Sequence, residues 1–346
     1  MEKIAVGLSG GIDSSVAACL LKEKGYEIEG IFMKIWDGKQ PKPACCGDVE
    51  KVKEVADILE IPLHIIDLRK EYEEIVIEYF KNEYMKGRTP NPCVICNRFL
   101  KFGVLLDKIS EKKIYFDYFA TGHYARIGFE KGRYILKKGK DPDKDQSYFL
   151  YLLNQKQLSK LIFPLGDYKK EKVKEIAKMY KLPVSDREES QDFISPDKFF
   201  FFDIGKREGE IVDKYGNVLG KHKGIIYYTV GQRRGLGIAM GKPYYVIGID
   251  GKNNRIIVGE EKELFKKEFI VKNINLISVD KIEKPVRADV KIRYKHPPSP
   301  ATIIPFEKDS LKVIFDYPQR AITPGQSAVF YQEDIVLGGG IIEKVL

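Results

Sequence analysis

The sequence predicts an α/β fold in which a domain built on a parallel sheet is followed by a small β-rich domain and a C-terminal β-barrel. Three observations lead there. Strand-like and helix-like segments alternate through the first half of the chain. Short β-type runs split by Gly, Asn, Asp and Pro fill the part after about residue 202. The chain's 346 residues, 43% of them hydrophobic, are more than one compact core needs.

Residues 4–8 form an apolar run ending in Ser9-Gly10-Gly11, and 14–24 carry Val16, Ala17, Leu20 and Leu21 at helical spacing until Gly25. Residues 29–36 read as the next strand, 48–59 as the next helix and 63–68 as the third strand. Strand, helix, strand, helix, strand is the pattern of parallel strands joined by crossover helices. Residues 117–120 read as a further strand closed by Thr121-Gly122-His123, and in open α/β sheets ligands collect at such strand ends. After 202, residues 209–213, 224–229, 244–249, 255–259, 286–294, 311–315 and 327–331 read as strands. A charged stretch before 266–273 marks a seam, which divides the chain at 1–202, 203–268 and 269–346. The aromatic run Phe199 to Phe202 reads as core packing or a domain seam.

Lys and Arg number 59 against 50 Asp and Glu, a surplus of +9 that leans toward an anionic partner such as nucleic acid, although solvated Lys/Glu faces give the same total. Five cysteines, an odd number without framework spacing, point to a reducing compartment and to thiols kept for chemistry. The N-terminus does not read as a signal peptide, and no run approaches the ~18 apolar residues of a membrane span. The expected setting is cytoplasmic, with no membrane partner.

The most informative segment is Gly7-Leu8-Ser9-Gly10-Gly11-Ile12-Asp13-Ser14-Ser15, between a strand and a helix. Its glycines let the backbone turn tightly toward an anion, its Ser hydroxyls add donors, and the following helix directs free N–H groups at a phosphate. Without Gly-Lys-Ser/Thr it is not a Walker-type loop. Ser-Gly-Gly-Ile-Asp-Ser-Ser resembles the pyrophosphate loop (PP-loop) of the ATP-pyrophosphatases, which cleave ATP between the α and β phosphates and adenylate a substrate oxygen. That resemblance implies an adenine-nucleotide α-hydrolase-like N-terminal domain, ATP, and Mg²⁺ near Asp13.

Further segments follow in order: Gly30-Ile31-Phe32-Met33-Lys34, Gly87-Arg88-Thr89-Pro90-Asn91-Pro92, Ala120-Thr121-Gly122-His123-Tyr124, Lys144-Asp145-Gln146-Ser147, Gly231-Gln232-Arg233-Arg234-Gly235 and Thr323-Pro324-Gly325-Gln326. Together they resemble the tRNA-specific 2-thiouridylase family over essentially the whole length. The resemblance implies adenylation of the C2 oxygen of the wobble uridine and its replacement by sulfur, in tRNAs reading Lys, Glu and Gln codons. A sulfur donor or carrier protein, or inorganic sulfide, would supply the sulfur. Carried over, Gly7, Leu8, Ser9, Gly10, Gly11, Ile12, Asp13 and Ser14 hold the phosphates, and Met33 and Gly122 line the adenosine site. Asn91, Pro92 and Cys93 border the target base, while His123, Lys144, Asp145, Gln146, Arg293, Tyr294 and Gln326 touch tRNA. On the residues alone, Arg293 and Tyr294 read as ordinary strand surface and His123 as structural.

The cysteines depart from that family's pattern. Its first cysteine lies in Asn-Pro-Asp-x-x-Cys-Asn; here the segment reads Asn91-Pro92-Cys93-Val94-Ile95-Cys96-Asn97, so Cys96 is in place and Cys93 replaces the Asp that serves as the family's general acid or base. The second cysteine follows Ser-x-x-x; here Ser190-Gln191-Asp192-Phe193-Ile194 puts Ile194 there. Three accounts fit. Cys93 and Cys96 cycle between persulfide and disulfide. Alternatively, Cys93, Cys96 and a third cysteine, Cys45 or Cys46 in preference to Cys19, hold a [4Fe-4S] iron–sulfur cluster. In the third account a structural zinc sits on the pair. The competing functions are an inactive tRNA-binding paralogue and a small-molecule ATP-pyrophosphatase ligase.

Overall fold

The computed structural model describes residues 2–36, 47–183, 207–238 and 241–346. The chain forms two compact units, Met1–Ile75 with Cys93–Asp197 and Asp334–Val336, and Val76–Pro92 with Lys198–Glu333 and Leu337–Leu346.

The first unit is built on a five-stranded parallel sheet in the order β3-β2-β1-β4-β7. Its strands are β1 (Lys3–Gly7), β2 (Glu27–Lys34), β3 (Leu63–Asp67), β4 (Tyr118–Ala120) and β7 (Leu161–Ile162). Helix α1 (Ile12–Glu23) follows β1 and buries Val16, Ala17, Cys19, Leu20 and Leu21. Helix α2 (Val49–Ile58) follows β2 and is capped by Asp48, whose carboxylate accepts from the Glu50 N–H at 3.2 Å. A third helix, α3 (Lys170–Met179), adds Val173, Ile176 and Ala177 to the core shared with α1, α2, β1 and β2. Because β2 and β4 flank β1 on opposite sides, the sheet reverses its strand order at β1. This reversal opens a crevice at the carboxyl ends of β1 and β4.

The anticipated elements of this unit form, with ends shifted by one or two residues. Sequence reading missed α3, although Val173, Ile176 and Ala177 have helical spacing, and the antiparallel hairpin β5 (Ala125–Glu130) and β6 (Arg133–Lys138). Lys131-Gly132 turns that hairpin, and β6 pairs with Ile335 and Val336.

The second unit contains a four-stranded sheet and a barrel. The sheet runs β10-β11-β8-β9, from β8 (Gly209–Asp213), β9 (Val218–His222), β10 (Tyr245–Asp250) and β11 (Arg255–Gly259). The barrel strands are β12 (Phe265–Leu276), β13 (Val286–Lys291), β14 (Ser299–Pro305), β15 (Leu311–Arg320), β16 (Ser327–Gln332) and β17 (Ile335–Val345), and pairing of β12 with β17 closes it. Closure leaves no open edge, and Phe269, Val271, Val290, Ile303, Val313, Phe315, Phe330 and Ile342 fill the interior.

One expectation needs correction. Residues 224–229 are not a strand: Ile225–Tyr227 is a tight helical turn, closed by Tyr227 N–H to Gly224 O at 3.2 Å, and Ile225 and Ile226 are buried there. Short-range apolarity does not separate such a turn from a strand. Residues 266–273, expected at a seam, form part of β12, in which Phe269, Ile270 and Val271 are buried and Lys266, Lys267 and Lys272 exposed. The run Phe199 to Phe202 lies outside the described residues. Among the described residues no helix is long and apolar enough to cross a membrane.

Candidate active site

The loop after β1 occupies the crevice. Gly10 has φ +74°, a conformation that a side chain disfavours. Ser14 ties the loop together: its Oγ donates to Gly11 O at 3.0 Å, accepts from the Ser9 N–H at 3.1 Å and lies 3.2 Å from Ser9 Oγ. Gly11 is the N-cap of α1 and contributes no side-chain cap. The first-turn N–H groups of α1 therefore face the loop's interior as anion donors. Leu8 is buried, its N–H bonded to Ile31 O at 2.8 Å. Gly47 packs so tightly on the loop that a Cβ there would collide with the Ser9 carbonyl.

The turn after β4 closes on this loop from the other side. A Cβ on Gly122 would lie 2.7 Å from both Asp13 C and Ser14 N, so only glycine lets the two backbones meet. Asp13 is held by two side chains, Tyr124 and Lys170, to which the sequence assigns no role. The Tyr124 hydroxyl donates to Asp13 Oδ1 at 2.7 Å, and the Lys170 ammonium lies 2.7 and 2.9 Å from its two oxygens. Met33 lies near the end of β2, half-buried.

The 144–146 segment, expected to touch tRNA, braces the site from within. Asp145 is buried and accepts from the N–H groups of Gly139 at 3.0 Å and Ser147 at 3.1 Å and from the Ser147 hydroxyl at 2.9 Å. Gln146 accepts from the Tyr124 N–H at 3.0 Å and donates its own N–H to Tyr124 O at 2.9 Å. Nearby Asp141 accepts from the Lys170 N–H at 2.9 Å, at the start of α3. Lys144 is half-buried. Replacing Asp145 by alanine strands buried donors, so a loss of about 2–4 kcal/mol is expected in a urea melt; a loss under about 0.5 kcal/mol would refute the bracing role.

Cys93 lies in the helical turn Pro92–Ile95, and Cys96 opens the wider, π-wound turn Cys96–Val104. Three residues apart on a helix, the two thiols share a face. Cys96 is buried, Cys93 is half-buried, and neither is in a disulfide. The segment is braced by Asn97, which donates to Phe149 O at 3.3 Å, and by Gln157, which donates to Arg98 O at 2.9 Å and Phe102 O at 2.7 Å. Cys19 lies in the core of α1, where burial pushes its thiol up to about 12, unsuited to ligation or attack. Among the described residues no three His, Cys, Asp or Glu side chains converge to hold a metal. Cys45, Cys46 and Ile194 lie outside the described residues.

His123 follows Gly122, its Nδ1 2.7 Å from Thr121 Oγ1 and its ring against Phe102 and Phe163 at 5.7 and 5.6 Å. Loss of water around the ring, aided by nearby Lys101, holds it well below the ordinary value of 6.5. The folded protein thus keeps His123 neutral while the unfolded chain protonates near 6.5. Its stabilising contribution is complete above that pH and is lost as pH falls toward the depressed folded value. Burial pushes His222 and His296 the same way. Melting temperature is expected to fall between pH 7 and 5, and His123→Leu to flatten part of that slope; an unchanged slope would count against a neutral His123.

The remaining positions lie in the second unit. Gln326 donates to Thr89 O at 2.9 Å and Pro90 O at 3.2 Å, beside Asn91 and Pro92. Arg293 donates to Val230 O at 3.0 Å, Ala321 O at 3.2 Å and the Thr323 hydroxyl. Tyr294 follows just beyond β13, with the Lys291 ammonium 5.3 Å from its ring centre.

A parallel sheet whose first strand runs into a glycine-rich anion loop, opposed by a glycine turn at the next strand, defines a nucleotide-binding α/β protein of the HUP class. Residues 2–195 match the family described as tRNA methyl transferase HUP domain. Residues 197–260 match the tRNA methyl transferase PRC-barrel domain and 266–342 the Aminomethyltransferase beta-barrel domain. Proteins of Clostridium perfringens and Clostridioides difficile, both named tRNA-specific 2-thiouridylase MnmA, are 47% and 48% identical to this chain over 358 and 359 residues, covering 100% of it and 99% of each of them. A tRNA-specific 2-thiouridylase MnmA 2 of a Thermoanaerobacter species is 48% identical over 361 residues, with the same coverage. The chain belongs to the tRNA-specific 2-thiouridylase MnmA family.

Proposed function

We propose that the protein is an ATP-dependent tRNA sulfurtransferase that converts the wobble uridine to 2-thiouridine in tRNAs for Lys, Glu and Gln. The observation that carries this reading is the anion loop of residues 7–14 in one unit with the Cys93/Cys96 turn, both braced through 141–149. The uridine C2 oxygen attacks the α-phosphorus of ATP and pyrophosphate leaves. A sulfur nucleophile then attacks C2, and AMP leaves with the former oxygen. Adenylation is needed because the carbonyl oxygen alone is a poor leaving group.

In this reading residues 7–14 take the phosphates, Met33 and Gly122 the adenosine, and Asn91, Pro92 and Cys93 the target base, which must be unstacked to be reached. Domain 1–202 carries the catalytic residues, 203–268 is the central β-rich domain and 269–346 adds tRNA contacts, with His123, Lys144, Asp145, Gln146, Arg293, Tyr294 and Gln326 the positions assigned to tRNA. Asp13 offers the carboxylate suited to Mg²⁺, which when bound supplies charge neutralisation to the phosphates. Cys96 is the nucleophile or ligand. With Cys93 it suits a persulfide relay that ends in a disulfide reduced by external thiol. An iron–sulfur cluster would need a third cysteine beyond the described residues, so no step is assigned to it. A persulfide carrier charges that relay by passing its outer sulfur to a cysteine thiolate and leaving as a thiol, whereas sulfide could only serve as the attacking nucleophile outside the relay; a reducing cytoplasm suits such thiols.

Release of AMP and pyrophosphate from ATP tests the substrate class. Release that requires unmodified tRNA is expected. Release driven instead by a small carboxylic or amide-forming acceptor would favour a small-molecule ligase.

A further inference from the structure

Lys170 is the only lysine buried among the described residues, and its side chain is 7% exposed. Its ammonium bridges both oxygens of Asp13 inside the anion loop and lies 5.8 Å from the centre of the Tyr124 ring. Burying a lysine's charge is costly, and its attraction to a carboxylate that is itself 27% exposed need not repay that cost. Stability alone therefore does not account for this pair. Its place does: Asp13 is in the first turn of α1, where the helix already favours an anion. A polyphosphate entering there would meet Asp13 as a repulsive neighbour, and the ammonium beside it is the charge that answers both.

We propose that Lys170 is a phosphate-binding residue of the ATP site, resting on Asp13 while the loop is empty and transferring its hydrogen bonds to the β- and γ-phosphate oxygens of ATP. The assignment rests on the reading of residues 7–14 as an ATP site. Tyr124 keeps its bond to Asp13 and so retains that carboxylate as the lysine turns away. Asp141, on the Lys170 N–H, and Gln146, on the Tyr124 N–H, are positioning residues: they fix where each side chain starts. In the adenylation step the bond from the uridine oxygen to the α-phosphorus forms as the bond from that phosphorus to the bridging oxygen breaks. The electron pair leaves with pyrophosphate, whose added charge Lys170 stabilises as a hydrogen-bond donor without giving up its proton.

The test compares ATP and AMP binding to the full chain by calorimetry, with Mg²⁺ and again in EDTA. Lys170→Met is expected to weaken ATP by about 30-fold while leaving AMP within about 2-fold, since a charge-assisted bond acts only on phosphates that AMP lacks. Lys170→Arg keeps the charge and is expected to recover most of the preference for ATP. A merely structural lysine would weaken both nucleotides together or neither, and either result overturns the assignment. Should the methionine variant not fold, Lys170→Gln carries the same comparison. Wild-type protein that binds neither nucleotide would refute the ATP-site reading itself. Wild-type binding of both with an unchanged ratio in the variants would refute Lys170 alone.

Discussion

Cys96→Ala is expected to abolish 2-thiouridine formation, by at least about 1,000-fold, while tRNA binding stays within about 2-fold. Cys96 is buried at the start of the 96–104 turn, and Asn97 and Gln157 hold that turn through backbone carbonyls that the substitution leaves in place. Removing one sulfur therefore deletes chemistry and leaves the frame. Both the persulfide and the cluster accounts require this result. They part at Cys93 and at colour: an anaerobically purified, brown, iron-containing protein would favour the cluster, whereas a colourless, iron-free and active one would leave the dithiol relay. Thiolation retained in Cys96→Ala would remove Cys96 from either role.

Gly122→Val should be nearly as damaging by a different route. Its Cβ would fall 2.7 Å from the Asp13–Ser14 backbone, inside any real contact distance, and those atoms belong to the first turn of α1. The loop must move or the β4 turn must withdraw. Either shift displaces the N–H groups and the Asp13 carboxylate that Tyr124 and Lys170 hold. An ATP affinity lower by about 100-fold and a stability loss of about 1–3 kcal/mol are expected. Gly248, where a Cβ would meet only the Ile257 side chain at 3.5 and 3.8 Å, provides the control. Unchanged ATP binding in Gly122→Val would mean that the close approach has no part in the nucleotide site.

These two positions also show what a linear sequence discloses. The loop and its helix were legible because every signal is local, from the apolar run at 4–8 through the glycines to the helical spacing that ends at Gly25. The cysteine turn was legible for the same reason. The partners of Asp13 were not, because Tyr124 and Lys170 are 111 and 157 residues away and reach it only through the sheet order. Asp145, which the resemblance assigns to tRNA contact, is buried and accepts from the turn N–H groups of Gly139 and Ser147, a role its neighbours in the sequence do not announce. Arg293 is similar, a strand-end cation whose guanidinium the fold turns onto carbonyl oxygens. In the second unit the apolar runs marked strands correctly except at 224–229, where two consecutive buried isoleucines sit in a turn.

The surplus of +9 charges gains a specific use if tRNA is the substrate, and binding should then weaken steeply with salt. Binding alone, however, would equally suit an inactive paralogue. The most direct measurement is nucleoside analysis of unmodified tRNA incubated anaerobically with the protein, ATP and either sulfide or a persulfide carrier. ATP-dependent appearance of 2-thiouridine at the wobble position, with AMP and pyrophosphate formed alongside, is the predicted result; tight tRNA binding with no 2-thiouridine under either sulfur supply would contradict it.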